Sequence, residues 1–318
     1  MAWQTLSTEP SALGESPFWH PTERKLYWVD ISGKKICRTD LQNNTPESWH
    51  MPSEPGCIAP MQGGGLVIAL RQGVFTAPVW GGALCHLLTL PYDSTVVRAN
   101  DGKCDAWGRF WVGTVDETKA QHAAALYCID CSSAIPQVAR MLAGATTANG
   151  LAWSPDGQTM YWADTPSHSV QVWSYDGTSK TLQNQRTYVK FSGKPKEGEP
   201  AHGAYQGRPD GATVDAQGNY YVALYEGACV AKFAPNGALL ARYATPVQCP
   251  TMPCFGGDDL QTLFVTSARQ GRSSAELANY PQSGCIFYQQ MDLPGMPVNF
   301  FQPFAGTPSY SANAASMS

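Results

Sequence analysis

The chain has 318 residues, of which 43% are hydrophobic and 14% are charged, and its formal net charge at pH 7 is −4. This composition excludes a disordered chain, because disorder goes with few apolar residues and many charges. The small negative charge provides no basic surface for nucleic acid, and no apolar run is long enough to span a membrane. We therefore expect neither nucleic acid nor a membrane as a partner.

The 30 glycines and 24 prolines favour short strands joined by turns. The first residues lack the basic and apolar regions of a signal peptide, which predicts a cytoplasmic protein. In that reducing compartment we expect the ten cysteines to be free, largely buried thiols. Cys128 and Cys131 form a lone C-x-x-C pair. A zinc or redox role is one interpretation, but the strand-like context favours a chance spacing.

A turn followed by a short apolar or aromatic strand recurs along the chain. The clearest copy runs from residue 146 to residue 164, with the turn at Ser154-Pro155-Asp156-Gly157. Proline presets φ for such a turn and glycine accepts a positive φ, so the flanking strands form a hairpin. Equivalent second strands are predicted at residues 25–30, 65–69, 108–113, 160–164, 219–223 and 262–266. Units of about forty to sixty residues with four short strands each predict an all-β fold, a six-bladed β-propeller.

No convincing amphipathic helix is predicted, and two long segments between strands are interpreted as loops. Residues 190–207 are polar and rich in glycine, and we expect them to cover one face, where functional residues tend to lie. His202 in this segment is interpreted as a surface residue. Residues 269–280 form the second predicted loop. Residues 1–308 are predicted to be a single domain and residues 309–318 a loosely ordered polar tail.

One position at the beginning of the first strand carries an oxygen-bearing side chain in four of the six units. Alignment of the units on their turns and second strands places Glu15, Asn100, Asn149 and Asp210 there. The second and sixth units align less well, near Gly56 and Thr251. Because the innermost strands of a propeller surround a central channel, these side chains are predicted to converge near its axis.

Two carboxylates and two amides in one buried place would repel or lack partners unless a cation joined them. An all-oxygen set suits Ca²⁺, Mg²⁺ or Mn²⁺, whereas Zn²⁺ or Fe²⁺ is less expected. The alternative is that each residue only forms a turn, because Asn-Gly and Asp-Gly are common turn dipeptides. The shared position in four units favours the metal site.

The chain resembles the senescence marker protein/regucalcin and gluconolactonase family of six-bladed propellers from about residue 13 to about residue 288. The matching motifs are Gly14-Glu15-Ser16-Pro17, Arg98-Ala99-Asn100-Asp101-Gly102-Lys103, Asn149-Gly150-Leu151, Pro209-Asp210-Gly211 and Cys254-Phe255-Gly256-Gly257. The resemblance implies that Glu15, Asn149 and Asp210 hold the metal. It also implies that Asn100 lies beside the metal, touching substrate or a metal-bound water, and that Arg98 reaches substrate oxygens. Family members often have an acidic residue after the second strand of the third blade that contacts sugar hydroxyls, and here Asp116 and Glu117 both match.

Members of this family mostly open sugar lactones, and some are discussed as calcium-binding proteins. The resemblance implies a metal-dependent lactonase acting on a glucono-, xylono-, arabinono- or galactonolactone, with Ca²⁺ the favoured ion and Asp210 as the group that transfers the proton. Two alternatives stay open: a non-enzymatic calcium-binding or interaction propeller, and a hydrolase of another ester or phosphoester. The sequence does not specify the sugar, the native metal or the oligomeric state.

Overall fold

The computed structural model describes residues 2–42, 46–195 and 205–303. The first twelve strands are β1 (Gln4–Ser7), β2 (Gly14–His20), β3 (Lys25–Asp30), β4 (Lys35–Thr39), β5 (Glu47–His50), β6 (Pro55–Pro60), β7 (Leu66–Leu70), β8 (Gly73–Ala77), β9 (Cys85–Thr89), β10 (Val97–Cys104), β11 (Phe110–Asp116) and β12 (Ala124–Asp130). The next twelve are β13 (Gln137–Ala145), β14 (Ala148–Trp153), β15 (Thr159–Asp164), β16 (Ser169–Asp176), β17 (Thr181–Lys190), β18 (Arg208–Val214), β19 (Tyr220–Tyr225), β20 (Cys229–Phe233), β21 (Leu239–Ala244), β22 (Pro250–Gly256), β23 (Thr262–Ser267) and β24 (Ile286–Gln290). The helical segments of the described residues are a 3-10 turn (Thr165–Ser167) and α1 (Ser274–Asn279).

Within the described ranges, the strands form six antiparallel sheets of four strands each, which confirms the predicted six-bladed β-propeller. Consecutive strands from β2 to β21 build the first five blades, and β22, β23 and β24 build most of the sixth. The fourth strand of the sixth blade is β1, which pairs with β24. The sequence pattern did not predict this closure, because β1 is a single short strand without the turn that marks the repeats.

The second strand of every blade lies within three residues of its predicted bounds at each end. The turns on which the repeats were aligned also share their hydrogen bonds. A side-chain oxygen of Asp105 accepts from the backbone N–H of Arg109 over 3.0 Å, and Asp215 accepts from that of Asn219 over 2.9 Å. The repeat is therefore a structural one, built by the same local contacts in the third and fifth blades.

Each innermost strand contains a register shift close to the position singled out from the sequence. In β2 the shift lies between Glu15 and Phe18, and in β14 it lies between Asn149 and Ala152. The residue after each of these two positions has a positive φ, 48° at Ser16 and 66° at Gly150. A bulge of this kind changes the direction of a side chain relative to the regular alternation along a strand. The bulges in β2 and β14 therefore help to set the direction of the Glu15 and Asn149 side chains.

One predicted loop differs in the structure. Residues 269–280 include α1, whose first turn is capped because the Ser273 hydroxyl accepts from the backbone N–H of Glu276 over 3.1 Å. This S-x-x-E capping signature was present in the sequence. The prediction of a plain loop was wrong because six residues are too few to show helical periodicity.

All ten cysteines have free thiols, and each except Cys85 is buried, as predicted. Among the described residues, Cys128 and Cys131 belong to no group of three or more His, Cys, Asp or Glu side chains, so nothing in these ranges supports a zinc role for them. Neither helical segment of the described ranges has the length and hydropathy needed to cross a membrane. The tail at 309–318 and residues 196–204 of the long predicted loop, including His202, lie outside the described residues.

Candidate functional site

Two asparagines from neighbouring blades meet at the wall of the central channel. Asn100 on β10 donates from Nδ2 to the side-chain oxygen of Asn149 on β14 over 3.1 Å, and to the backbone oxygen of Ala148 over 3.0 Å. Both asparagines are buried, with 6% and 3% of their surface exposed. The structure thus brings together two of the four residues that were selected from the repeat.

The two carboxylates selected from the repeat are both buried, and the charge of Asp210 acts on Glu15. Glu15 and Asp210 are buried, with 5% and 6% of their surface exposed. Burial raises the pKa of Glu15 well above its ordinary value, and the charges of Asp210 and Asp101 raise it further. Burial and the charge of Asp101 likewise raise the pKa of Asp210, while Arg208 opposes the shift. Buried carboxylates that repel one another are an arrangement that a cation would stabilise.

A third carboxylate and a lysine lie next to this pair and were missed as site residues. Asp101 is buried; its Oδ2 accepts from the backbone N–H of Leu151 over 3.0 Å, whereas its Oδ1 has no hydrogen-bond partner among the described residues. Lys103 donates to the backbone oxygen of Ala212, and its burial lowers its pKa, an effect that Asp101 opposes. Both residues belong to the motif of residues 98–103, but they do not recur at equivalent positions in the other blades, so the repeat could not reveal them.

Arg98 connects the asparagines to the outer part of the channel. It donates from Nη1 to the side-chain oxygen of Asn100 over 3.0 Å and to the backbone oxygen of Ala99 over 2.9 Å. Its Nε lies 3.4 Å from Oε1 of Glu117, which also pairs with Arg71 at 2.8 Å. Arg98 and Glu117 therefore place charged, hydrogen-bonding groups next to the buried residues.

Asp116 and Glu117 have different surroundings although they are adjacent. The carboxylate of Asp116 accepts from the backbone N–H groups of Thr118 over 3.0 Å and Gln121 over 2.9 Å. A hydrogen bond from the Thr118 hydroxyl and those from the loop backbone lower the pKa of Asp116 to about 2. The Asp116 carboxylate thus stabilises the loop that follows β11, whereas the Glu117 side chain faces the channel.

A cavity of 640 Å³ opens where the innermost strands begin, on the same side as Arg98. Its lining includes Arg98, Glu117, Lys119, Arg208, Tyr225 and Arg272. We call this space the mouth cavity. Its volume lies in the range of small-molecule sites.

A smaller cavity of 230 Å³ at the opposite end of the channel is lined mainly by apolar side chains such as Trp19, Met252 and Phe255. The mouth cavity, with its polar lining, suits a sugar better.

The donor set at the base of the channel fits a hard divalent cation. Glu15 and Asp210 supply carboxylate oxygens and Asn149 supplies an amide oxygen, and all three side chains are buried. Oxygen ligands of this kind are those that Ca²⁺ and Mg²⁺ accept. The unpartnered Oδ1 of Asp101 adds negative charge close by. These residues could therefore hold a cation.

Comparisons with known proteins show the family to which the chain belongs. Residues 13–269 match the family described as SMP-30/Gluconolactonase/LRE-like region. The chain is 36% identical to the 6-deoxy-6-sulfogluconolactonase of Pseudomonas putida over 290 residues, which is 90% of this chain and 94% of that protein. It is 32% identical to human regucalcin over 301 residues, 92% of this chain and 94% of regucalcin.

The solved structures give the same architecture. A calcium-binding protein, regucalcin, from Agrobacterium tumefaciens has a TM-score of 0.85 and 24% identity, covering 94% of this chain and 97% of that chain. A luciferin-regenerating enzyme has a TM-score of 0.81 and 25% identity, covering 92% of this chain and 96% of that chain. The chain belongs to the SMP-30/gluconolactonase/LRE-like family of six-bladed propellers.

Proposed function

We propose that this protein is a metal-dependent lactonase that hydrolyses an aldonolactone to the aldonic acid. The observation that carries the proposal is the pair of buried carboxylates, Glu15 and Asp210, each two residues along the chain from a lining residue, Leu13 or Arg208, of a polar cavity of 640 Å³. The family and the lactonase among its relatives support the reaction class. Because all ten cysteines are free thiols, we place the reaction in the cytoplasm.

Glu15, Asn149 and Asp210 would hold the cation. Ca²⁺ is the favoured ion because the set contains only oxygen donors, and Mg²⁺, Mn²⁺, Zn²⁺ and Fe²⁺ are the alternatives to be tested. When bound, the cation would act as a Lewis acid toward the lactone carbonyl and stabilise the negative charge that develops on its oxygen.

Asp210 would act as the general base and then as the general acid. It accepts a proton from water as the water oxygen forms a bond to the lactone carbonyl carbon. It returns this proton to the ring oxygen as the bond between that oxygen and the carbonyl carbon breaks.

Arg98, Asn100 and Glu117 would bind the sugar. Arg98 and Glu117 line the mouth cavity, and Asn100 connects Arg98 to Asn149 through side-chain hydrogen bonds. Together they offer donors and an acceptor for hydroxyl groups. Asp116 remains the second candidate for this acidic position, although its carboxylate is already engaged by loop N–H groups.

A second function has one specific observation in its favour, since a structural neighbour is described as a calcium-binding protein. An ion that only joined the blades would need no open cavity. The mouth cavity, with the charged side chains of Arg98 and Glu117 in its lining, therefore favours the enzyme.

The test is a pH-indicator assay of lactone opening, corrected for spontaneous hydrolysis. The panel contains glucono-, xylono-, arabinono- and galactonolactone, together with a gluconolactone whose carbon 6 carries a sulfonate, the substrate type named for one relative. Chelated protein is compared with protein that has received Ca²⁺, Mg²⁺, Mn²⁺, Zn²⁺ or Fe²⁺. We expect turnover of at least one lactone, lost with chelator and restored by a cation. Turnover that is indifferent to chelator, or no turnover of any lactone, would overturn the proposal.

A further inference from the structure

Arg208 lines the mouth cavity two residues before Asp210 on β18. Its nearest carboxylate oxygen is Oε2 of Glu226, 3.4 Å from Nη2. Its Nε is buried and has no hydrogen-bond partner among the described residues. Since 30% of the side chain remains exposed, Arg208 is held loosely by one ion pair and still has donors available.

The other arginines of the mouth cavity have more partners than Arg208. Arg272 donates to Glu276 from Nε over 2.8 Å and from Nη2 over 2.6 Å, and to Glu226 from Nη1 over 3.2 Å. Arg98 is bound to Ala99, Asn100 and Glu117 as described above. Within the described part of the chain, Arg208 is thus the guanidinium of this cavity with the fewest partners.

The surroundings of Arg208 carry an excess of positive charge. Glu226 is shared by three cations, Lys194 at 2.9 Å, Arg272 at 3.2 Å and Arg208 at 3.4 Å. Glu276 is the only further carboxylate that pairs with this group among the described residues. Lys119 lines the same cavity, and the two carboxylates in its lining, Glu54 and Glu117, pair with Arg71 and Arg98 and not with this group. A cation bound by Glu15 and Asp210 would offset the buried carboxylates below, which leaves the mouth cavity positive.

The ring of Tyr225 lies beside both guanidinium groups. The central carbons of Arg208 and Arg272 lie 5.4 and 5.7 Å from the centre of its ring. Stacking of this kind orients a planar guanidinium while its edge stays free to donate hydrogen bonds. A guanidinium presented by its edge is suited to bind the oxygens of a sulfonate, phosphate or carboxylate.

We propose that the preferred lactone carries an anionic group outside its ring, and that Arg208 binds this group in the mouth cavity. The inference deepens the proposed lactonase function and rests on it. The chemistry shared by the candidate groups is a set of oxygens with a full negative charge. A sulfonate, a phosphate and a carboxylate on carbon 6 are therefore separate arms of the test.

The experiment measures kcat/KM for gluconolactone and for its derivatives with a sulfonate, a phosphate or a carboxylate at carbon 6. The readout is the ratio of the anionic to the neutral substrate, because the charge of Arg208 also acts on Asp210 and any effect on the chemistry cancels in the ratio. We expect wild-type protein to favour at least one anionic lactone roughly tenfold or more. Arg208→Gln should lower that ratio roughly 10- to 100-fold, as expected for loss of a charge-assisted hydrogen bond.

Two variants serve as controls. Arg208→Lys keeps the charge and should retain part of the preference. Arg140→Gln removes an arginine from the exposed face of the outer strand β13, and should leave the ratio unchanged. Circular dichroism establishes that each variant is folded, and if Arg208→Gln does not fold, the wild-type ratio and the Arg208→Lys variant decide the outcome.

The two proposals can fail separately. Equal kcat/KM for neutral and anionic lactones, or an unchanged ratio in Arg208→Gln, would overturn the anion site while leaving the lactonase intact. If no lactone is opened, calorimetry of Ca²⁺-loaded protein with gluconate and with 6-deoxy-6-sulfogluconate, 6-phosphogluconate and glucarate still tests the site. An anion site predicts tighter binding of at least one doubly charged acid in wild type but not in Arg208→Gln; equal binding would refute it.

Discussion

The side chain of Asn149 donates from Nδ2 to the hydroxyl oxygen of Thr165 over 2.8 Å, and Thr165 donates in turn to the backbone oxygen of Pro209 over 2.8 Å. Thr165 begins the 3-10 turn of the fourth blade, and Pro209 directly precedes Asp210 in the fifth. One buried hydroxyl therefore connects two residues that we expect to bind the cation. The Thr165 hydroxyl accepts from the amide nitrogen of Asn149, and the amide oxygen of Asn149 faces Asn100.

The first prediction concerns this hydroxyl. Thr165→Val keeps the shape of the side chain but removes the acceptor for Asn149 and the donor to Pro209. We expect apparent cation affinity to fall roughly 10- to 100-fold, the usual effect of losing a group that orients a metal ligand. Affinity is measured from the cation dependence of lactone turnover. Thr165→Ser, which retains the hydroxyl, should stay near wild type, and equal affinities for the valine and serine variants would exclude the positioning role.

The contrast between Asn149 and Thr165 shows what the sequence could and could not reveal. Asn149 was found because its position five residues before a turn is repeated as Glu15, Asn100 and Asp210. That spacing is local, since turn and strand patterns specify it. Thr165 has no counterpart in this repeat, and its importance comes from contacts between blades.

Two other features escaped prediction for the same reason. Asp101 and Lys103 acquire their roles from burial in the channel, which the sequence does not state. The pairing of β1 with β24 joins residues more than 270 positions apart, such as Thr5 and Phe287. The sequence thus predicted the blades and the repeated oxygen position, whereas long-range pairing and burial required the folded chain.

The second prediction concerns the paired carboxylates. Glu15→Gln and Asp210→Asn should each lower kcat/KM roughly 10²- to 10⁴-fold, the range for loss of an essential acid–base group or of the cation that acts with it. In chelator at pH 7, both variants should melt at a higher temperature than wild type, because each removes a carboxylate whose charged form is disfavoured by burial and by neighbouring carboxylates. Calorimetry with and without Ca²⁺ measures this.

Added Ca²⁺ should raise the melting temperature of wild type and have little effect on either variant. Glu47→Gln, on the outer strand of the first blade, is the control and should keep both turnover and the response to Ca²⁺. Near wild-type turnover in Glu15→Gln or in Asp210→Asn would remove that residue from the mechanism.

The third prediction is a dependence of stability on pH. The pKa values of Glu15 and Asp210 are raised in the folded protein, so the folded state binds protons more tightly than the unfolded state. The contribution of these groups to stability is therefore present below their unfolded pKa values and is lost as pH rises toward the folded ones. In chelator, the melting temperature of wild type relative to the double variant Glu15→Gln/Asp210→Asn should fall as pH increases from about 4.

Excess Ca²⁺ should reverse this trend, because the cation competes with protons for the same oxygens and binds more tightly as pH rises. Subtracting the double variant removes the contribution of other carboxylates, including Asp130, whose pKa is lowered to about 2. A difference between wild type and the double variant that did not change with pH in chelator would show that the two carboxylates are not in repulsive contact.

The fourth prediction separates two adjacent acidic residues. Glu117→Gln should raise KM for the lactone roughly tenfold, as expected for loss of one hydrogen bond to a charged acceptor, with a smaller change in melting temperature. Asp116→Asn should lower the melting temperature, because its carboxylate accepts from the Thr118 and Gln121 N–H groups, and should leave KM nearly unchanged. Steady-state kinetics and thermal melts of both variants decide the matter. The opposite pattern would assign the sugar contact to Asp116.

The fifth prediction concerns Asn100, whose side chain lies between Arg98 and Asn149. Asn100→Ala removes both hydrogen bonds, so Arg98 loses one of the groups that orient it toward the mouth cavity. We expect KM to rise roughly tenfold and kcat to change less, because the residue acts on binding rather than on proton transfer. Asn236→Ala, in an exposed turn of the fifth blade where the side chain accepts from the Ala238 N–H, is the matched control and should leave both constants unchanged. If KM were unchanged and kcat alone fell, Asn100 would belong with the groups that stabilise the transition state.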